Sequence, residues 1–67
     1  MQEQPLTSSL HIMRLPEVAA ACGISRAAIY KAIRKGEFPR QVKLSGRSSG
    51  WVRAEIDAWV KERMAAR

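Results

Sequence analysis

The segment from Ser25 to Gly36 constrains this chain more than any other. Ser25 supplies an N-cap, because its hydroxyl can accept a hydrogen bond from a first-turn amide that has no partner within the helix. Gly36 supplies a stop, since it takes the left-handed conformation that closes a helix at no steric cost. Between them Ala28, Ile29, Ala32 and Ile33 recur at helical spacing and make one apolar face. Arg26, Ala27, Tyr30, Lys31 and Arg34 make the other. Upstream, Arg14 to Ile24 reads as a shorter helix and a tight turn. Pro16 suits the first helical turn, Glu17 suits the positive end of the helix dipole, and Gly23 ends the helix. Ile24 is expected to drop between the two helices, which the small Ala19 and Ala20 allow to cross closely. Two short helices joined by a glycine-containing turn form a helix-turn-helix.

A helix that only completes a core needs nothing basic or aromatic on its outer face. This one offers three cations, a phenol and one small residue, a combination suited to a nucleic-acid groove. The net charge of +6 is distributed to match. Residues 1–13 carry −1, residues 14–36 carry +4, residues 37–53 carry +3, and residues 54–67 sum to zero. A basic surface confined to the middle of the chain reads as a footprint for a polyanion.

With 67 residues there is room for one domain, near the lower size limit for folding without staples. A single cysteine excludes an internal disulfide, and one histidine does not make a metal site. The core therefore has to come from apolar packing, in a chain whose 46% hydrophobic content includes much alanine. Cys22, among alanines and far from His11, reads as a small buried hydrophobe rather than a nucleophile. No paired carboxylates, no Cys/His or Ser/His constellation and no phosphate-cradling glycine loop occur, so no catalytic residues, metal or cofactor are expected. No apolar run has the length of a membrane span and no signal-peptide pattern is present, so a cytoplasmic, nucleoid-associated location is expected.

Met1 to Leu10 is polar and aperiodic, and residues 1–13 are expected to form a flexible N-terminal arm, with Ile12 and Met13 tucking in as an extended lead to the first helix. After Gly36 the pattern changes. Phe38 to Leu44 alternates apolar and polar residues, the mark of a half-buried strand, with Pro39 placing it at an edge or at a strand start. A loop from Ser45 to Gly50 follows, and Trp51-Val52 resumes the extended chain to complete a hairpin whose tip carries Arg47. Arg53 to Arg67 is the third helix, with Ile56, Trp59, Val60 and Met64 as its apolar stripe and Asp57 spaced to pair with Lys61. Trp51 and Trp59 fall on apolar faces, and both are expected in the core. The fold class is mainly α with a small β-hairpin.

These residues carry a resemblance. Leu15-Pro16-Glu17-Val18, Gly23-Ile24-Ser25-Arg26, Ile29-Tyr30, Gly36-Glu37-Phe38-Pro39, Val42-Lys43-Leu44, Gly50-Trp51 and Glu55-Ile56-Asp57-Ala58-Trp59 occur in order with short spacings. The set is similar to the AlpA family of prophage regulators, itself related to phage excisionases and to MerR-type DNA-binding heads. It covers the chain from about Arg14 to Met64. The resemblance implies a winged helix-turn-helix of three helices plus a two-stranded wing over residues 14–67, with the second helix in the major groove of double-stranded DNA.

By position, the resemblance assigns the recognition face to Arg26, Ala27, Tyr30, Lys31 and Arg34, with Arg47 on the wing. Ser25 at the helix start and Lys43 and Ser48 on the wing complete the expected DNA-binding set. It also implies transcriptional control of prophage or mobile-element genes, with RNA polymerase as a partner. The alternatives are an excision factor that bends DNA for an integrase and acts cooperatively on adjacent sites, and a basic module that docks on an acidic protein.

Overall fold

A computed structural model describes residues 11–67. In chain order the elements are β1 (Ile12–Met13), α1 (Leu15–Cys22), α2 (Arg26–Arg34), β2 (Val42–Ser45), β3 (Ser48–Val52) and α3 (Arg53–Ala66). The three strands form one antiparallel sheet in the order β1-β3-β2. The architecture is a winged helix-turn-helix.

α1 is the hub, packing on α2, on α3 and on β3. Its extended N-cap, Arg14, accepts a hydrogen bond at its carbonyl from Val18 at 2.9 Å, and proline occupies the first turn. The helix ends where Gly23 turns left-handed at φ 69°, with its amide on the carbonyl of Ala19 at 2.8 Å. A side chain at that φ would crowd its own backbone, so glycine lets the chain turn sharply enough to start α2 three residues later. Ser25 caps α2 as its position suggests: its hydroxyl accepts from the amide of Ala28 at 3.1 Å. At the far end Gly36 donates to the Ile33 carbonyl and Glu37 to the Ala32 carbonyl, the paired bonds of a Schellman motif.

The core is compact. Met13, Val18, Ile29, Phe38, Trp51 and Ile56 are buried, and Leu15, Ala19, Cys22, Ile24, Ala32, Ile33 and Trp59 pack around them. Every element except β2 contributes. Partial burial pushes the Cys22 thiol up from its ordinary pKa, which keeps it neutral as a packing group.

Several expectations are revised. Residues 38–41 are not strand. Phe38 is buried, but the ladder begins only at Val42, and β2 is exposed along its whole length rather than half-buried. The alternation from Phe38 onward is not matched by burial: Phe38 fills the core, while Val42 and Leu44 stay about two-fifths exposed. The connection shrinks from a six-residue loop to the two residues Gly46 and Arg47, between the paired Ser45 and Ser48. Leu44 has no counterpart opposite, which puts an irregularity in the ladder.

The wing is not two-stranded alone, because β1 adds a third strand: Ile12 pairs with Val52 and Met13 with Trp51. Ile12 and Met13 tuck in as an extended lead to α1, as the sequence suggests, and they do so as a paired strand; residues 1–10 of the expected arm lie outside the described residues. Within α2, Ala28 is exposed rather than on the core face, and Tyr30 is half-buried rather than fully outward. In α3, Met64 is 52% exposed, beyond the reach of the core. Asp57 pairs with Arg53 at 3.7 Å, one turn earlier, rather than with Lys61.

Candidate nucleic-acid interface

A nine-residue α-helix is about 13 Å long, matching the width of the B-DNA major groove. On α2 the buried residue is Ile29, with Ala32 and Ile33 half-buried beside it. That row fixes the rotation of the helix on α1. Ser25, Arg26, Ala27, Lys31 and Arg34 are all exposed, and Tyr30 lies at the border of the two faces. Among the described residues, none of Arg26, Lys31 or Arg34 is within ion-pair distance of an acid. The acids nearest in sequence are engaged or distant: Glu17 faces His11 at 3.6 Å on α1, and Glu37 lies beyond the helix end. The exposed face therefore keeps its full positive charge, and its first turn places a guanidinium beside a single methyl group.

The wing supplies a second cationic element. Lys43 is exposed on β2 and Arg47 is exposed in the turn. Ser48, expected to face a ligand, has a different engagement: its hydroxyl accepts a hydrogen bond from Nη1 of Arg14 at 3.2 Å. The same nitrogen donates to the Ser49 carbonyl at 3.1 Å. Ser48 is half-buried, and this bond ties the wing to the start of α1.

Two cations escaped the sequence reading. Lys35 and Arg40 line, with Arg34, an open hollow at the C-terminal end of α2, floored by Ile33, Phe38 and Pro39 and, among the described residues, free of acidic side chains. The signal was present in the sequence as Arg34-Lys35 and Arg40. Only the fold shows that the turn after Gly36 brings Arg40 back beside the helix end. On the other side of that turn, a groove against α3 is lined by Glu37, Glu55 and Glu62 as well as Arg40 and Arg63. The molecule is thus cationic along α2 and the wing and mixed in sign along α3. No group of three His, Cys, Asp or Glu side chains able to hold a metal occurs among the described residues, nor does any helix long and apolar enough to cross a membrane.

Comparison with known proteins places this geometry. The family described as prophage CP4-57 regulatory protein (AlpA) matches residues 11–64. The chain is 51% identical over 55 residues to the protein ORF88 of Enterobacteria phage P4, a match covering 82% of this chain and 62% of that protein. It is 37% identical over 62 residues to the DNA-binding transcriptional activator AlpA of Escherichia coli strain K12, covering 84% of this chain and 89% of that protein. The chain spans 62% of the phage P4 relative's length, but most of the Escherichia coli one's. No solved structure matches. The family match opens beside β1, takes in both helices of the helix-turn-helix and the wing, and closes within α3, and on that extent the chain belongs to the AlpA family of prophage regulatory proteins.

Proposed function

We propose that this chain binds a specific site on duplex DNA and regulates transcription of prophage or mobile-element genes. α2 enters the major groove, and the β2–β3 hairpin lies on the backbone. The observation that carries this reading is the outer face of α2, where Arg26, Lys31 and Arg34 stand exposed and, among the described residues, unpaired, on a helix whose opposite face is locked into the core. The printed name of the Escherichia coli relative, a DNA-binding transcriptional activator, supports it.

In this reading Arg26 reads a base edge, Ala27 lets the helix sit close, and Tyr30 reaches a base edge or phosphate. Lys31 and Arg34 track the backbone, with Ser25 offering its hydroxyl at the helix start. Lys43 and Arg47 hold a phosphate run from the wing, and Ser48 shapes the strand beside them. Residues 14–67, with β1 in front, make the DNA-binding unit; RNA polymerase is the partner of a regulator. An excision factor would use the same surface with an integrase as partner, and a bend in the bound duplex separates the two.

The test is a titration on duplex DNA over a series of salt concentrations. With about five cations on phosphates, log affinity should fall with log salt at a slope of about −4 to −5. A flat line would remove duplex DNA as the partner and leave an acidic protein as the ligand of this face.

A further inference from the structure

The hairpin is held unevenly along its length. Its base is fixed: Trp51 and Val52 pair with β1, Trp51 is 2% exposed, and Gly50 lies so close under Ile12 and Met13 that no Cβ would fit. The outer part, from Val42 to Ser49, lacks that support. All of β2 is exposed, and β1 pairs with nothing beyond Trp51. Two antiparallel strands alone are marginally stable in water. Among the described residues, one side chain from elsewhere in the chain forms hydrogen bonds to this part. Nη1 of Arg14 donates both to Ser48 Oγ at 3.2 Å and to the Ser49 carbonyl at 3.1 Å. Arg14 is also the N-cap residue of α1, the helix on which α2 packs. Its guanidinium therefore spans from the frame of the helix-turn-helix to the outer hairpin.

We infer that Arg14 is a positioning residue that sets the wing against the helix-turn-helix, so that Lys43 and Arg47 meet the backbone while α2 is in the groove. This inference rests on the duplex-DNA reading for its consequence, but not for its mechanism. Hydrogen bonds from a charged donor are stronger than neutral ones, and two from one nitrogen fix the direction of the strand as well as its distance. Without them the outer hairpin swings about its base, and ordering it is then paid for on binding. The rival role is a direct one, in which Arg14, exposed and charged, touches a phosphate itself.

The experiment uses the whole chain and has two arms. In the free protein, heteronuclear NOE values at the amides of residues 43–49 should fall in Arg14→Ala and in Ser48→Ala, while those at Trp51 and in α2 stay unchanged. Unchanged values at residues 43–49 in both variants overturn the inference, whether or not the chain binds DNA. In the second arm Arg14→Ala is measured on a duplex site alone and in a background carrying Lys43→Ala and Arg47→Ala. A loss of about tenfold alone should shrink to less than about twofold in that background, the signature of groups acting through one another. Equal losses in both backgrounds, or no loss at all, overturn it. So does full rescue of affinity by Arg14→Lys with the wing still mobile, since charge alone would then suffice. If the unaltered chain binds no duplex, the DNA reading falls, and the first arm still decides whether Arg14 holds the wing.

Discussion

The indole N–H of Trp59 donates to the carbonyl oxygen of Glu37 at 2.8 Å, joining α3 to the turn that follows α2. Phe38 meets the same indole edge to face at 4.9 Å between ring centroids, and the Arg63 guanidinium covers it at 4.7 Å. Trp59 is thus half-buried, a clamp at the rim of the core rather than its centre. Trp51 holds the other end of the linker, donating to the Pro39 carbonyl at 2.9 Å from a position that is 2% exposed. Two tryptophans pin a stretch without regular structure, and it is this stretch that carries Arg40 back toward α2.

Truncating the two tryptophans should have graded effects. Trp51→Ala is expected to cost at least about 4 kcal/mol, the upper range for an aromatic in a core, and to unfold so small a domain. Trp59→Ala should cost less, about 2–3 kcal/mol, because the side chain is only half-buried. Trp59→Phe keeps the aromatic contact and loses the bond to Glu37, for about 1 kcal/mol. Thermal melts of the three variants check the ranking. If Trp59→Ala kept full stability and lost DNA binding, the indole would be a ligand contact instead.

Gly50→Ala is a test of β1. A Cβ at this position would collide with the Ile12 side chain and lie 2.9 Å from the Met13 carbonyl oxygen, a backbone atom that cannot swing aside. The expected result is a loss of about 1–3 kcal/mol, the usual cost of overpacking, with the damage centred on the β1–β3 pairing. Hydrogen exchange at Arg53, whose amide donates to the His11 carbonyl at 2.8 Å, should quicken first. Unchanged protection there would mean that β1 contributes little.

Sequence reading should concentrate on the first turn of α2. Arg26→Ala is expected to cost about 1–3 kcal/mol on the cognate site and much less on unrelated duplex, relaxing preference at one base pair, a G·C. Lys31→Ala and Arg34→Ala should weaken all duplexes more evenly. A panel of single-base-substituted sites measured against the three variants decides it. Equal loss on every site in Arg26→Ala would make Arg26 a phosphate clamp.

At the wing tip, Arg47→Ala should lower affinity for specific and unrelated duplexes by similar factors and reduce the salt slope by about 1. Its melting temperature should stay within about 2 °C of the parent, because an exposed turn side chain away from caps and core contributes little to stability. A large drop on heating would show a structural role for the turn.

The helix-turn-helix was legible because its signals are local. Ser25, Gly23 and Gly36 act within a few residues of themselves, and each does in the fold what its chemistry suggests. The exposed cations of α2 followed from the same periodicity, whereas Ala28 and Tyr30 sit near the border of two faces, where a wheel cannot assign them and packing does. The wing was harder. Phe38 carries the apolar beat of a strand, but it belongs to a core contact with Trp59, and that contact links residues far apart in sequence. The role of β1 was hidden for a similar reason, since two residues have no period, and their partners lie some forty positions on. Arg14 looked like one more cation until the fold brought Ser48 to it.

The pairing of Ile12 with Val52 has a consequence for how the domain comes into being. A nascent chain emerges N-terminus first, so β1, α1 and α2 are made well before the strand that completes their sheet. Until Trp51 and Ile56 arrive, α1 can lean only on β1 and α2, because Trp51 and Ile56 complete the core cluster that holds Val18. Closing a loop of that length must precede most of the stabilising contacts, and contacts so distant in sequence slow folding. The helix-turn-helix is therefore not an independent module to which a hairpin was added. It is a late product of its own chain, competent only once the start of α3 has left the ribosome, and a chain cut short before Trp51 should leave no partial DNA binder behind.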